Sequence, residues 1–221
     1  MHTFNTPAPI AAVLDVPAAH IRFIAADRAD TVVEVRPANT SKSRDVKAAE
    51  QLQVTYDNGV LRIEAPAAKS SLLGNSGTTE ITVQLPAGST LDGKAADAEL
   101  RGVGRLGDVT FEAARATVKL DESAAVRLSI QAGDVTLGRL TGPAQISTQQ
   151  GDLTITEAAH GPIVLRAESG NIAVTAARGI SATLDAGTAY GRVTNSLVNT
   201  GTAAVAIRAT TSYGDITARS L

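Results

Sequence analysis

Acidic residues follow glycines at intervals through the second half of the chain, and a series of carboxylates could bind a cation. Asp108, Asp134 and Asp152 each stand second in a Gly-Asp-Val-Thr or Gly-Asp-Leu-Thr sequence. If these turns lie on successive layers about 4.8 Å apart, neighbouring carboxylates repel each other, and Ca²⁺ would relieve the repulsion. The alternative is structural, because an Asp in a turn can bond the backbone two residues on. Asn171 and Arg192 take the same place in later copies, which favours the structural interpretation.

Two tyrosines form the second group that could do chemistry. Tyr190 and Tyr213 are the third residues of the closest internal match in the chain, Thr-Ala-Tyr-Gly against Thr-Ser-Tyr-Gly. If the two segments stack, the rings lie one above the other and could offer a flat platform to a ligand, because tyrosine combines an apolar face with a polar tip. The alternative is a packed cap near one end of the fold.

The remaining candidates predict no catalytic site. His2, His20 and His160 are scattered in sequence, without metal-ligand spacing. Residues 102–107 match the glycine pattern of dinucleotide-binding loops, but that motif needs a following helix, and here a predicted strand follows. We therefore expect no cofactor, no catalytic residues and no enzymatic activity.

The composition excludes several classes of protein. Basic and acidic residues number 20 and 22, so the chain lacks the basic excess typical of nucleic-acid binding. Cysteine is absent, which excludes disulfides and thiol catalysis. Aromatic residues make up 3%, so we expect a thin core of Val, Ile, Leu and Ala. The N-terminus shows no basic region followed by an apolar run, and no stretch is long enough to span a membrane, so we expect a cytoplasmic protein.

A repeat determines the predicted fold. Six copies of a Gly-centred corner are preceded by alternating apolar and polar residues, which indicates strand, corner, strand. Such a unit buries its apolar face only by stacking on neighbouring copies. The pattern predicts an all-β protein, a β-solenoid or β-roll of about five to six coils, with successive windings directly on top of one another. Arg192 would then be able to pair with Asp215 of the next copy. The corner glycines are Gly107, Gly133, Gly151, Gly170, Gly191 and Gly214.

The first 90 residues lack the repeat and predict antiparallel β structure. Asp57-Asn58-Gly59 between two alternating segments is a strong hairpin signal. Asp45 could cap one short helical turn, and residues 66–79 read as a mobile loop. We expect residues 1–90 to form an N-terminal part that packs on the first coil of a solenoid over residues 91–221. The predicted strands cover residues 11–16, 20–25, 31–36, 51–56, 60–65 and 80–85.

These motifs together resemble the putative-adhesin β-strand-repeat family of bacteria. The resemblance rests on the tandem Gly-Asp corners, on the segment from Asp30 to Pro37, and on Phe4-Asn5-Thr6-Pro7 near the start. It extends over almost the whole chain. The resemblance implies a β-solenoid without agreed catalytic residues, whose adhesin name was inferred from shape.

The leading hypothesis for function is a non-enzymatic, adhesin-like binding or scaffold module. It would present a rigid β surface to a macromolecular partner, either a protein or another copy of itself. The alternative is a self-assembling structural protein, a dimer or head-to-tail filament, joined through exposed solenoid ends near Arg219-Ser220-Leu221. Besides the tyrosine pair, the predicted binding surface is an outer row of threonines: Thr110, Thr136, Thr154, Thr194 and Thr217.

Overall fold

The computed structural model describes residues 1–66 and 77–221, which form 18 strands and one short helix. The strands are β1 (His2–Asn5), β2 (Ala11–Ala26), β3 (Asp30–Pro37), β4 (Gln53–Asp57), β5 (Val60–Glu64), β6 (Thr79–Pro86), β7 (Thr90–Leu106), β8 (Val109–Ser123), β9 (Val126–Ala132), β10 (Val135–Leu140), β11 (Ala144–Gln150), β12 (Leu153–Ala158), β13 (Gly161–Ser169), β14 (Ile172–Ala176), β15 (Ala182–Tyr190), β16 (Val193–Ser196), β17 (Val205–Tyr213) and β18 (Ile216–Ser220). The helix α1 (Ser43–Gln51) lies between β3 and β4.

The predicted β-solenoid is confirmed, and each coil has two parallel-paired walls. From Gly133 onward, the front wall holds the strand before each Gly-centred corner, and the back wall holds the strand after it. In the middle coils these are separate strands: β9 and β11 pair on the front wall, while β10 and β12 pair on the back wall. In β8 a single strand runs through both walls, pairing with β9 over Val109–Arg115 and with β10 over Val118–Ser123.

The stack contains two windings that the repeat did not predict. β2 and β7 pair in parallel along nearly their whole length, from Ala11 opposite Thr90 to Ala25 opposite Gly104. Each forms a complete coil without a Gly-Asp corner inside it, so a count of corners misses both. Pro17 lies where β2 passes from one wall to the other, and it is skipped in the pairing with β7, which suits a residue without an N–H. The two strands predicted over residues 11–16 and 20–25 are therefore one strand.

The N-terminal part closes one end of the solenoid, and its topology is mixed rather than purely antiparallel. The expected antiparallel pairs are present: β1 with β3, β3 with β6, and the hairpin of β4 and β5. However, β5 and β6 both pair in parallel with β2. The parallel pairing arises because β2 is itself a coil of the solenoid. The strands β5 and β6 that cover it therefore run in the same direction as the strands in each wall.

The last two coils are stacked in reverse sequence order, which corrects the expectation of successive windings. Strands β17 and β18 pair on one side with β13 and β14, and on the other side with β15 and β16. The coil of residues 205–220 thus lies between residues 161–176 and residues 182–196. The inward residues of the two coils explain this order. Ile216 in the inner coil pairs with Val193 in the outer coil, and Ala218 pairs with Asn195. The more apolar copy takes the interior place, where burial is complete.

The core is a thin aliphatic column that runs through all coils. Two phenylalanines, Phe23 and Phe111, are its largest fully buried side chains. Gly93 lies beside Phe111, and a Cβ at Gly93 would approach the Phe111 ring to 2.6 Å. A large ring therefore fits in a narrow core only because the neighbouring coil carries no side chain at that point.

The helix corrects one sequence expectation about Asp45. Lys42 occupies the N-cap position of α1, and Asp45 lies inside the first turn. The Asp45 side chain is buried, and its Oδ1 accepts a hydrogen bond from the Thr78 backbone N–H at 3.1 Å. Asp45 thus ties α1 to the start of β6. The loop expected over residues 66–79 lies mostly outside the described residues, and Thr79 already belongs to β6.

In the part of the chain that the structure describes, no helix has the length and apolar character needed to cross a membrane.

Candidate functional site

A column of corner glycines holds the coils in register. At Gly133, Gly151 and Gly170 the backbone has a φ of +131°, +139° and +151°. A Cβ at Gly151 would lie 2.1 Å from the Gly133 carbonyl oxygen, and one at Gly170 would lie 2.0 Å from the Gly151 oxygen. Glycine is required here for two reasons, the left-handed φ and the close approach of successive corners. The same contacts continue through Gly214 to Gly191, in the stacking order of the coils.

Corner side chains form a ladder between coils. Asp134 Oδ1 accepts a hydrogen bond from the Asp152 backbone N–H at 2.8 Å, and Asp152 Oδ1 accepts one from the Asn171 N–H at 2.7 Å. Asn171 Oδ1 accepts from the Asp215 N–H at 2.9 Å, and Asp215 Oδ1 accepts from the Arg192 N–H at 2.8 Å. These side chains therefore bond the next coil rather than their own turn, which explains why Asn171 can replace an Asp.

The three predicted cation ligands do not come together. Asp134 and Asp152 lie on adjacent rungs of the ladder, whereas Asp108 lies at the opposite corner, where the back wall of one coil leads into the front wall of the next. Within residues 1–66 and 77–221 no group of three His, Cys, Asp or Glu side chains is arranged to hold a metal ion. In Asp134 and in Asp152, Oδ1 already accepts a hydrogen bond from a backbone N–H.

Arg192 ends the ladder and pairs with Asp215, as its position in the repeat predicted. Its Nη2 lies 3.9 Å from Asp215 Oδ2. The pair is exposed, so its Coulomb energy is small, and the backbone hydrogen bond from Arg192 N–H is the stronger link between these coils.

Tyr190 and Tyr213 stack as the sequence predicted. Their ring centroids are 4.9 Å apart and the ring planes are inclined by 4°. The rings end the front-wall strands of the last two coils, beyond the buried part of each strand, and are 68% and 58% exposed. They are thus not a packed cap. Because the coils fix both backbones, the rings form a rigid aromatic step on the rim of the solenoid.

The threonine row is only partly continuous. Thr136 pairs with Thr154 on the back wall, and Thr217 pairs with Thr194 further along the same row. Ala173 separates the two pairs. Thr110 is not part of this row, because it lies on the front wall between Asp92 and Arg127. Gly107 explains the misassignment: its corner connects two coils, whereas the later corners connect the two walls of one coil.

The front wall carries a shallow groove that the sequence analysis did not predict. Two depressions of about 370 and 360 Å³ share Pro162 and Val164 and therefore run into each other across the coils. Paired positions of successive strands place their outward side chains in one line. All of these side chains except Val164 are polar, and the sequence signal for the line is the outward half of each alternating segment. The line consists of Thr110, Arg127, Gln145, Val164, Arg208 and Asp185.

One histidine lies among acids near the capped end. His20 pairs in register with Glu80 on one side and Glu99 on the other. Its Nδ1 lies 3.1 Å from Glu99 Oε2, and both side chains are more than half exposed. The arrangement is an exposed polar contact between adjacent coils, which in solution contributes little to stability.

Comparison with known proteins identifies one family over nearly the whole chain. The family model described as Toastrack DUF4097 matches residues 12–219. No curated protein matches the chain.

Similar solved structures come from several bacteria. A putative cell adhesion protein from Clostridium sporogenes is 12% identical, with a TM-score of 0.44, over 100% of this chain and 98% of that chain. A putative adhesin from Bacteroides fragilis is 11% identical and one from Parabacteroides distasonis 16% identical. Each of these two has a TM-score of 0.47 over 98% of this chain and 95% of the other.

Proposed function

The chain belongs to the Toastrack DUF4097 family, and we propose that it is a non-enzymatic binding module that holds a macromolecular partner on its outer surface. The observation that carries the proposal is the exposed, parallel stack of Tyr190 and Tyr213. Three of the similar solved structures bear adhesion or adhesin in their names, which agrees with this class of function.

The tyrosine stack has the properties of an interface anchor. Large aromatic side chains dominate the binding energy of many interfaces, and tyrosine loses little conformational entropy when it is bound. The two rings are also held apart from the core on a backbone that the ladder fixes through Asp215 and Arg192. Binding would therefore require little reorganisation of the protein, which favours affinity.

Polar groups surround the stack and supply hydrogen bonds to a partner. The Arg192 and Asp215 pair follows the rings at the corner, and Thr217 and Thr194 begin the back wall beyond it. An apolar centre with a polar border is the usual organisation of a binding surface. The front-wall groove offers a second, extended contact through Arg127, Gln145 and Arg208.

The proposal is tested by partner capture in the native cell with full-length variants. We expect the double substitution Tyr190→Ala with Tyr213→Ala to weaken capture about thirtyfold or more, as loss of a hot spot does. The matched double substitution to Phe keeps both rings and should retain most of the capture. Equal capture by the wild type and the alanine variant would refute the tyrosine stack as the binding site.

The threonine row is tested separately. Alanine at Thr136, Thr154 and Thr217 together should weaken capture if the back wall also contacts the partner, and circular dichroism should show an unchanged fold. Unaltered capture would remove the back wall from the binding surface and leave the rim and the front wall.

A further inference from the structure

We propose that two copies of this chain associate tail to tail through the coil of residues 182–196, the open end coil. The proposal rests on the fold and not on the proposed binding function. The partner is a second copy of the chain. Its end coil would pair with this end coil, with the strands of the two copies antiparallel.

The open end coil is the exposed terminus of the core column. In the described part of the chain, β15 has one strand partner, β17, and β16 has one, β18. The inward positions of this coil are incompletely covered: Leu184 and Ala186 are half-buried, and Val193 is 45% exposed. At the equivalent place one coil inside, Ile216 is 1% exposed. Apolar surface of the core is therefore left open at this end.

The other end of the solenoid is closed. Leu14, Ile21 and Phe23, three inward residues of β2, are at most 2% exposed because β5 and β6 cover this strand. Beyond these lie short antiparallel strands and α1. Head-to-tail growth would need two open ends, so the structure favours a closed pair over a filament.

The exposed edges lack the usual protection against strand pairing. Natural edge strands are commonly blocked by lysine, proline or a bulge. β15 has neither lysine nor proline, and its single charge, Asp185, is engaged by Arg208 at 3.1 Å. β16 carries no charge at all. The two edge strands therefore carry no unpaired charge that would repel a second copy.

Symmetry fixes the direction of the contact. A two-fold axis that brings two identical solenoid ends together lies perpendicular to the column and reverses the direction of each strand. Pairing β15 with its counterpart places the middle of the strand, near Ala186, on the two-fold axis. Tyr190, at the end of β15, would lie about 13 Å from this axis.

The size of the end face suits a weak, reversible dimer. A strand of nine residues spans about 30 Å, and two walls about 10 Å apart with their outer side chains cover roughly 500 Å² per copy. The pair would bury about 1,000 Å², the lower limit for a specific interface.

Sedimentation over a wide concentration range tests the proposal. We expect the wild type to sediment with twice its mass of 22.6 kDa at high concentration, and to dissociate on dilution. Val193→Lys places a charge on the open apolar end and should give monomers at every concentration. The control Ser129→Lys adds the same charge to the outward side of β9, in a coil far from the open end, and should still dimerise. A wild type that stays monomeric, a wild type that forms open-ended polymers, or a Val193→Lys variant that dimerises like the wild type would each overturn the proposal.

A cross-linking measurement keeps the proposal testable if Val193→Lys fails to fold. The chain has no cysteine, so a single introduced thiol is unique. Gly187 lies near the middle of β15 with nothing within 4 Å of an added Cβ, and Thr210 pairs with it one coil inside. With a short bismaleimide linker, Gly187→Cys should give covalent dimers and Thr210→Cys should give far fewer. Equal yields would contradict the interface.

Discussion

At the scale of single residues, the corner of each coil links sequence to stability most directly. The sequence indicated that glycine permits the turn and that the following Asp supports it. Only the stacked coils reveal that the Asp carboxylate accepts a hydrogen bond from the next corner, since 18 or 19 residues separate donor and acceptor along the chain. The same geometry explains why Asn171 and Asp215 can follow Asp152 in one ladder.

Gly151→Ala should destabilise the protein by about 2–4 kcal/mol. The new Cβ would meet the Gly133 carbonyl oxygen at 2.1 Å in a backbone conformation with φ of +139°. Gly187→Ala is the control, because its φ is ordinary and the space around it is open, and it should change the free energy of unfolding by less than about 0.5 kcal/mol. Chemical denaturation measures both, and equal effects would contradict the glycine column.

Asp152→Ala should cost about 1–2 kcal/mol, since the Asn171 N–H loses its acceptor. Asp152→Asn retains a side-chain oxygen and should cost less than Asp152→Ala. Asp108→Ala, at a corner outside the ladder, is predicted to be nearly neutral. Thermal unfolding of the three variants gives the order, and a loss at Asp108 as large as that at Asp152 would contradict the ladder.

At the scale of strands and coils, the sequence predicted most elements but not their order at one end. Alternation and corner spacing correctly predicted the paired strands from Val126 to Ala176. The same periodicity could not distinguish the coil of residues 182–196 from that of residues 205–220, because both have a tyrosine directly before the corner glycine. The two coils differ in the residues at their inward positions. This difference predicts their order only when it is known that one of them is the terminal coil.

Equivalent truncations in the last two coils test this order. Ile216→Ala should cost about 2–4 kcal/mol because Ile216 is 1% exposed between two coils. Val193→Ala, at the position paired with it, should cost less than about 1 kcal/mol because Val193 is 45% exposed. A larger loss at Val193 than at Ile216 would place residues 205–220 at the end of the stack.

At the scale of the whole molecule, one end of the solenoid is covered and the other is open, and the coil at the open end is not the one that the sequence suggested. Residues before the repeats supply β5, β6 and α1 to one end, while the other keeps exposed strand edges. Sequence reasoning located self-association at residues 219–221, the end of the chain. The structure instead places β18 inside the stack and leaves β15 and β16 outermost. The sequence predicted the stacking of the tyrosine pair better than the continuity of the threonine row, because stacking needs only two adjacent coils.

Engineered disulfides test the interleaved stack most directly. The Arg166→Cys with Thr210→Cys pair joins positions that lie opposite each other in adjacent strands, within the Cα separation that a disulfide requires. Arg166→Cys with Gly187→Cys introduces thiols at positions that are separated by the intervening coil. Two strand spacings put their Cα atoms about 9.6 Å apart. Under dilute oxidising conditions we predict an intramolecular disulfide in the first variant and free thiols in the second. A disulfide between positions 166 and 187, with none between 166 and 210, would contradict the stack described above.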